Sequence, residues 1–182
     1  KILAVVGSPR RNGNTHLLIS RLLEGAREKG AHTSIVLLGE LRIAECDGCH
    51  ACWQGRECSK HDDMNTLYPR IMETDVLVFG TPVYWYGPTA LMKACIDRFV
   101  YFNFPENRSR IAGKSAALVI PLEETDPDAW APVTDFFARS LQYLEMNIAG
   151  AVIAPGVGAR GEITEHPELL QAAYELGKSL AR

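Results

Sequence analysis

The chain has 182 residues, 47% hydrophobic and 23% charged, which is the composition of one globular domain (residues 1–182) and not of a disordered segment. Nineteen Lys and Arg against 22 Asp and Glu leave a formal charge of −3, which disfavours nucleic-acid binding and electrostatic membrane anchoring. No apolar run reaches the ~20 residues of a membrane span, and Lys1-Ile2-Leu3 reads as a strand and not as a signal peptide, so a cytoplasmic, membrane-free protein is expected.

In chain order, residues 2–6 (Ile-Leu-Ala-Val-Val) form a short continuous apolar run ended by Gly7-Ser8-Pro9, the signature of a strand covered on both faces. Leu18, Leu22 and Ala26, with Ile19 and Leu23 beside them, recur at helical spacing. Residues 34–38 predict a second strand, 76–80 a third, 116–120 a fourth and 149–153 a fifth. Val133, Phe136, Phe137, Leu141 and Leu144 predict a helix before the last strand. Leu169, Leu170, Ala173, Leu176 and Leu180 predict another after it. Alternating strands and helices imply right-handed crossovers and an α/β, three-layer, doubly wound parallel five-stranded sheet. Residues 42–62 and 103–113 read as long irregular stretches, a length more often functional than decorative. Ligands of such sheets sit beyond the carboxyl ends of the strands, here after residues 6, 79 and 120.

The first of these places holds Gly7-Ser8-Pro9-Arg10-Arg11-Asn12-Gly13-Asn14-Thr15, followed by a helix that Asn14 or Thr15 is expected to cap. A helix N-terminus offers free N–H groups and a positive dipole end to a phosphate. Ser8 and Thr15 add hydroxyls, Asn14 an amide and Arg10 a forked cation. The alternative is an ordinary strand-to-helix turn. G-x-x-x-x-G-K-[ST] is absent, which excludes an ATP-binding P-loop, and G-x-G-x-x-G is absent, which disfavours a Rossmann site. No acidic pair follows the first strand, so a phosphoacceptor receiver domain does not fit. What remains is a mononucleotide, with FMN the leading candidate.

Gly7-Ser8-Pro9-Arg10-x-x-Gly13-Asn14-Thr15 resembles the phosphate loop of the NADPH-dependent FMN reductase family. Thr81-Pro82-Val83-Tyr84-Trp85-Tyr86-Gly87-Pro88, with Leu91-Met92-Lys93 and Asp97-Arg98 after it, resembles that family's flavin-ring loop and the following helix. The resemblance spans roughly residues 1–155 and implies a flavodoxin-like sheet of strand order 2-1-3-4-5. It implies that Ser8, Arg10, Gly13, Asn14 and Thr15 hold the FMN phosphate and that Pro82, Val83, Tyr84, Trp85, Tyr86 and Gly87 wrap the ring. Three aromatics in succession cannot all enter a core, because neighbouring side chains diverge. They suit stacking on a flavin or a dimer interface, and the family commonly builds its active site at such an interface.

Cys46-x-x-Cys49-x-x-Cys52-x5-Cys58 is the second strong signal, since two consecutive C-x-x-C steps in one loop wrap four sulfurs around a compact centre, as in 4Fe–4S ligation. Gly48 and Gly55 supply turns. The spacing is similar to the iron–sulfur flavoprotein branch of the family. Zinc, a redox disulfide and four free thiols are the alternatives. Cys95 is expected to be buried and inert, Asp62-Asp63 to cap a helix, and the five histidines to lie on the surface. The sum is an FMN-dependent oxidoreductase passing electrons between FMN and a 4Fe–4S cluster, with no catalytic side chain beyond the cofactor shell. A flavin-only reductase with NAD(P)H as co-substrate and a non-enzymatic FMN carrier are the alternatives. The partner is a small-molecule or ferredoxin-type electron donor or acceptor. Exposed aromatics at 84–86, with Tyr101, Phe102 and Phe104, suggest a homodimer or homotetramer.

Overall fold

The computed structural model describes residues 1–181. Its elements are β1 (Ile2–Val6), α1 (Asn14–Glu28), β2 (Thr33–Leu37), α2 (Met64–Met72), β3 (Val76–Gly80), a hairpin of β4 (Val83–Tyr84) and β5 (Gly87–Pro88), α3 (Ala90–Asp97), α4 (Pro105–Arg108), β6 (Ser115–Pro121), α5 (Ala131–Tyr143), β7 (Asn147–Ala154) and α6 (Pro167–Leu180). Five strands form one parallel sheet in the order β2-β1-β3-β6-β7. Setting the hairpin aside, this is the expected 2-1-3-4-5 order.

Side chains alternate across a strand, and both faces of the three central strands are covered. Leu3, Val5, Leu77, Phe79, Leu118 and Ile120 pack against α2, α3 and α5. Ile2, Ala4, Val6, Val78, Ala117 and Val119 pack against α1 and α6. The apolar runs are continuous for that reason. Strand limits differ from expectation at the edges: β2 starts one residue earlier, and β7 extends back to Asn147 because a sheet edge can carry exposed residues such as Ile148. The stretch 103–113 contains the short helix α4.

Helices α1 and α6 approach closely through two glycines. A methyl group at Gly177 would fall on the carbonyl oxygen of Leu22, and one at Gly25 on that of Tyr174. Among the described residues no helix is long and apolar enough to cross a membrane.

Candidate functional site

The chain leaves β1 at Val6, turns with Gly13 N–H donating to Arg10 O at 3.2 Å, and enters α1. The N-cap is Gly13, which has no side chain, and no side chain caps the helix. The first intrahelical bond runs from Leu17 N–H to Gly13 O at 3.0 Å, so the N–H groups of Asn14, Thr15 and His16 precede the helical ladder. Neither Asn14 nor Thr15 is the cap. The Asn14 amide instead donates to Val157 O (3.2 Å) and Ala159 O (2.9 Å) and accepts from Ile163 N–H (3.2 Å). This buried side chain thus ties the segment after β7 to the helix N-terminus. Ser8 Oγ accepts from Arg10 N–H at 3.2 Å, which leaves its own hydrogen to donate elsewhere. The exposed Arg10 guanidinium donates to Gly158 O at 3.2 Å.

Two threonines staple this loop to the one after β3. Thr89 Oγ1 donates to Gly7 O at 2.6 Å and accepts from Met92 N–H, capping α3, while Thr89 N–H donates to Thr81 Oγ1 at 3.1 Å. A methyl on Gly7 would come within 2.7 Å of Met92 Cβ, so the close approach of loop and helix requires glycine there. The β4–β5 hairpin turns through Trp85 (φ 53°) and Tyr86 (φ 60°). Two left-handed residues are the geometry of a type I′ turn, which normally takes Asn-Gly. Each non-glycine residue there costs about 1–2 kcal/mol, strain of the kind held at functional sites. Trp85 is 97% exposed.

Between these loops lies a cleft of about 410 Å³, a size that suits a small-molecule cofactor. Ser8, Arg10, Gly13, Asn14, Thr15, Pro82, Val83, Tyr84 and Trp85 all line it. Tyr86 and Gly87 do not, because the chain has turned at Trp85-Tyr86 and they start its return limb. Pro121, Leu122, Glu123 and Glu124 after β6, and Val157 and Gly158 after β7, complete the lining. No motif marks those six. Only the topological rule, applied at residue 120, points to the first four.

The cysteine loop is closed at its base by the acidic pair. Arg42 N–H donates to Asp63 Oδ2 (2.7 Å), Asp63 N–H to Arg42 O (3.1 Å), and Ala44 N–H to Asp62 Oδ2 (2.9 Å). Asp62 also accepts from Met64 N–H at 3.1 Å, whereas Asp63 caps no helical N–H. The pair fastens a loop more than it caps a helix. Gly48 (φ 68°), His50 (φ 58°) and Gly55 (φ 73°) take the left-handed turns, and the Gly55 site lies against the Phe104 ring.

Cys46, Cys49, Cys52 and Cys58 line one small pocket of about 50 Å³ together with Tyr68 and Arg98. Among the described residues no three Cys, His, Asp or Glu side chains are arranged to hold a single metal ion. Cys49 Sγ lies 3.0 Å from Ser59 Oγ, a contact that lowers its thiol pKa, while burial raises that of Cys52. Cys95, on α3, is fully buried, and burial pushes its thiol up to about 12, which keeps it protonated. Of the aromatics expected on the surface, Phe102 is buried edge-on to Tyr68 and Phe99, and Tyr101 is half-buried in a 4.0 Å stack on Tyr68. The exposed patch is therefore Tyr84, Trp85 and Tyr86, without residues 101–104.

The sequence profile described as NADPH-dependent FMN reductase matches residues 1–123. An iron–sulfur flavoprotein of Archaeoglobus fulgidus is 29% identical over 182 residues, 100% of this chain and 79% of that protein. Another, of Methanocaldococcus jannaschii, is 34% identical over 98 residues, 54% of this chain and 51% of that protein. The matched stretch thus spans about half the length of several curated relatives. The NAD(P)H:quinone oxidoreductase of Methanothermobacter marburgensis has the same fold, with a TM-score of 0.79 at 19% identity over 100% of this chain and 96% of that one.

Proposed function

The chain belongs to the NADPH-dependent FMN reductase family, and from that premise we propose that it is an FMN-dependent oxidoreductase whose cysteine loop carries a 4Fe–4S cluster. The observation that carries the flavin assignment is the helix N-terminus without a side-chain cap, opening on a cleft lined by Ser8 and Thr15. In this reading the N–H groups of Asn14, Thr15 and His16 bind phosphate oxygens, the two hydroxyls donate to them, and Arg10 closes over the outer face. The Asn14 side chain holds the 157–163 segment against the site, so Asn14 faces the phosphate through its backbone N–H alone. Pro82 to Trp85 flank the ring, with the strained turn fixing where Tyr84 and Trp85 stand. Tyr86 and Gly87 shape the turn without lining the cleft.

For the cluster, the supporting observation is four thiols around one pocket with a buried cation beside them. An all-sulfur donor set suits iron–sulfur chemistry better than magnesium or calcium. When bound, FMN supplies hydride and single-electron chemistry, and a cluster supplies single-electron chemistry. The chain's own residues bind and orient. No side chain is assigned as acid or base. The donor and acceptor fall in the class of nicotinamide cofactors, quinones and small redox proteins such as ferredoxins.

One observation favours a second reading. Cys49 already meets Ser59 and Cys58 already meets Arg98, so two of the four thiols have polar partners without metal, which suits a flavin-only NAD(P)H-dependent reductase. Steady-state oxidation of NADH or NADPH with a quinone acceptor tests the enzymatic part. Turnover is expected. FMN-loaded protein inert to both nucleotides would leave a non-enzymatic carrier.

We also assign the exposed Tyr84-Trp85-Tyr86 hairpin to contact between copies of the chain, in a homodimer or homotetramer. Sedimentation of FMN-loaded protein at micromolar concentration is expected to show it, and a monomer there would contradict it.

A further inference from the structure

Arg98 follows α3 directly and is 1% exposed, a burial that is unfavourable for a guanidinium unless it is well paired. Its Nη1 donates to Asp62 Oδ2 at 2.7 Å and to Ala44 O at 2.9 Å. Its Nη2 donates to Asp62 Oδ1 at 3.2 Å and to Cys58 Sγ at 3.2 Å. One side chain therefore touches both limbs of the cysteine loop, two residues before Cys46 and at Cys58 itself. Burial pushes the Asp62 carboxyl up, but Arg98 and the Ala44 and Met64 N–H groups outweigh it and hold the group below its ordinary value. The pair is ionised and nearly neutral as a unit.

Closing the loop does not require this arginine. The Asp63 N–H bond to the Arg42 carbonyl, with the Arg42 and Ala44 N–H bonds to the Asp63 and Asp62 carboxylates, already closes it. What Arg98 adds is a donor facing sulfur. Nη2 reaches Cys58, and Nε–H is buried with no partner among the described residues, an arrangement folding disfavours unless something uses it. Of the other polar groups lining the pocket, Lys60 pairs with Asp47 at 2.7 Å, the Tyr68 hydroxyl donates to the Arg98 carbonyl and Ser59 Oγ meets Cys49 Sγ, so at Cys58 the side-chain donor is Arg98.

We propose that Arg98 is a positioning residue for the cysteine-bound cluster, fastening Cys58 and presenting a buried N–H to its sulfur so that the reduced state is favoured. The proposal rests on the cluster reading above. A hydrogen bond to a cluster sulfur stabilises the more negative form and raises its reduction potential. Asp62 holds the fork in place and does not itself touch the sulfur.

The test compares the full chain with its Arg98→Lys and Arg98→Met variants after anaerobic reconstitution with iron and sulfide, reading iron content and the cluster's midpoint potential. All three are expected to hold iron. Lysine keeps the charge but cannot serve Asp62, Ala44 and Cys58 at once, so the reduced-to-oxidised ratio at fixed potential should fall about tenfold, a shift of about 59 mV for one electron. Methionine should shift it further in the same direction, and if that variant does not fold the lysine variant carries the test. In iron-free protein, amide exchange over residues 42–46 and 58–62 should accelerate in both. Iron-loaded variants with the wild-type potential would overturn the role of Arg98 alone. A wild type that takes up no iron would overturn the cluster reading, and this proposal with it.

Discussion

Replacing Arg10 and Thr15 together by alanine is expected to weaken FMN binding about 100-fold while changing riboflavin binding by less than about threefold. Riboflavin has the same ring and lacks only the phosphate, so the comparison isolates the cradle. A charge-assisted bond from Arg10 contributes about 2 kcal/mol and a neutral hydroxyl about 1 kcal/mol. Their sum, about 3 kcal/mol, is two decades at 1.4 kcal/mol each. Binding should persist, because the helix N-terminus and Ser8 remain. Titrating each flavin into apoprotein by fluorescence quenching reads both constants. Arg10 also holds Gly158 O, on the far wall of the cleft. Equal losses for FMN and riboflavin would show that it acts by placing that wall and that the phosphate lies elsewhere.

Gly177→Ala should lower the melting temperature by about 10 °C. In an exposed helix the same change is favourable by roughly 0.5–1 kcal/mol, since alanine loses less backbone entropy. Here the new methyl would land on the Leu22 carbonyl of α1, an atom that cannot move aside as a flexible side chain could. Overpacking against backbone costs about 3 kcal/mol, and a domain of this size loses roughly 2–4 °C per kcal/mol. The exposed Ser179→Ala is the control and should change little. A stabilised Gly177→Ala would mean that α1 and α6 do not meet through these glycines. The contact matters to the site because α1 carries the cleft-lining turn at its other end.

The parts of this fold that were legible in the sequence are those where burial is symmetric. Continuous runs such as residues 76–80 are apolar because α2, α3 and α5 cover one face and α1 and α6 the other, so the pattern itself announces a parallel central strand. Edge strands are blurred for the converse reason: Asn147 and Ile148 are exposed, and the polar Asn147 breaks the continuous apolar run there. Gly7-Ser8-Pro9 and Pro82 mark the cleft loops because turns demand those residues. That Asn14 is not the helix cap is invisible in the sequence because its side-chain partners, Val157 and Ala159, lie more than 140 residues away and no local pattern encodes them. Glu123, Glu124 and Gly158 reach the cleft only through topology. Phe102 looked like surface in an aromatic run, and it is buried because the turn at Arg98–Asn103 points it at Tyr68. The Asp62–Arg98 pair spans 36 residues and likewise appears only when the loop is folded back on α3.

A flavoprotein of this kind has its cysteine loop and its cleft loaded together. Iron, acid-labile sulfide and flavin measured per chain on anaerobically purified, reconstituted protein decide it, with Cys52→Ala beside the wild type. Cys52 is the buried thiol of the four, and it belongs to a different segment from either cleft loop. The wild type should contain one FMN and about four irons, and the variant should lose the iron and keep the FMN. Reconstituted wild-type protein holding FMN but no iron would contradict the account and leave a flavin-only reductase.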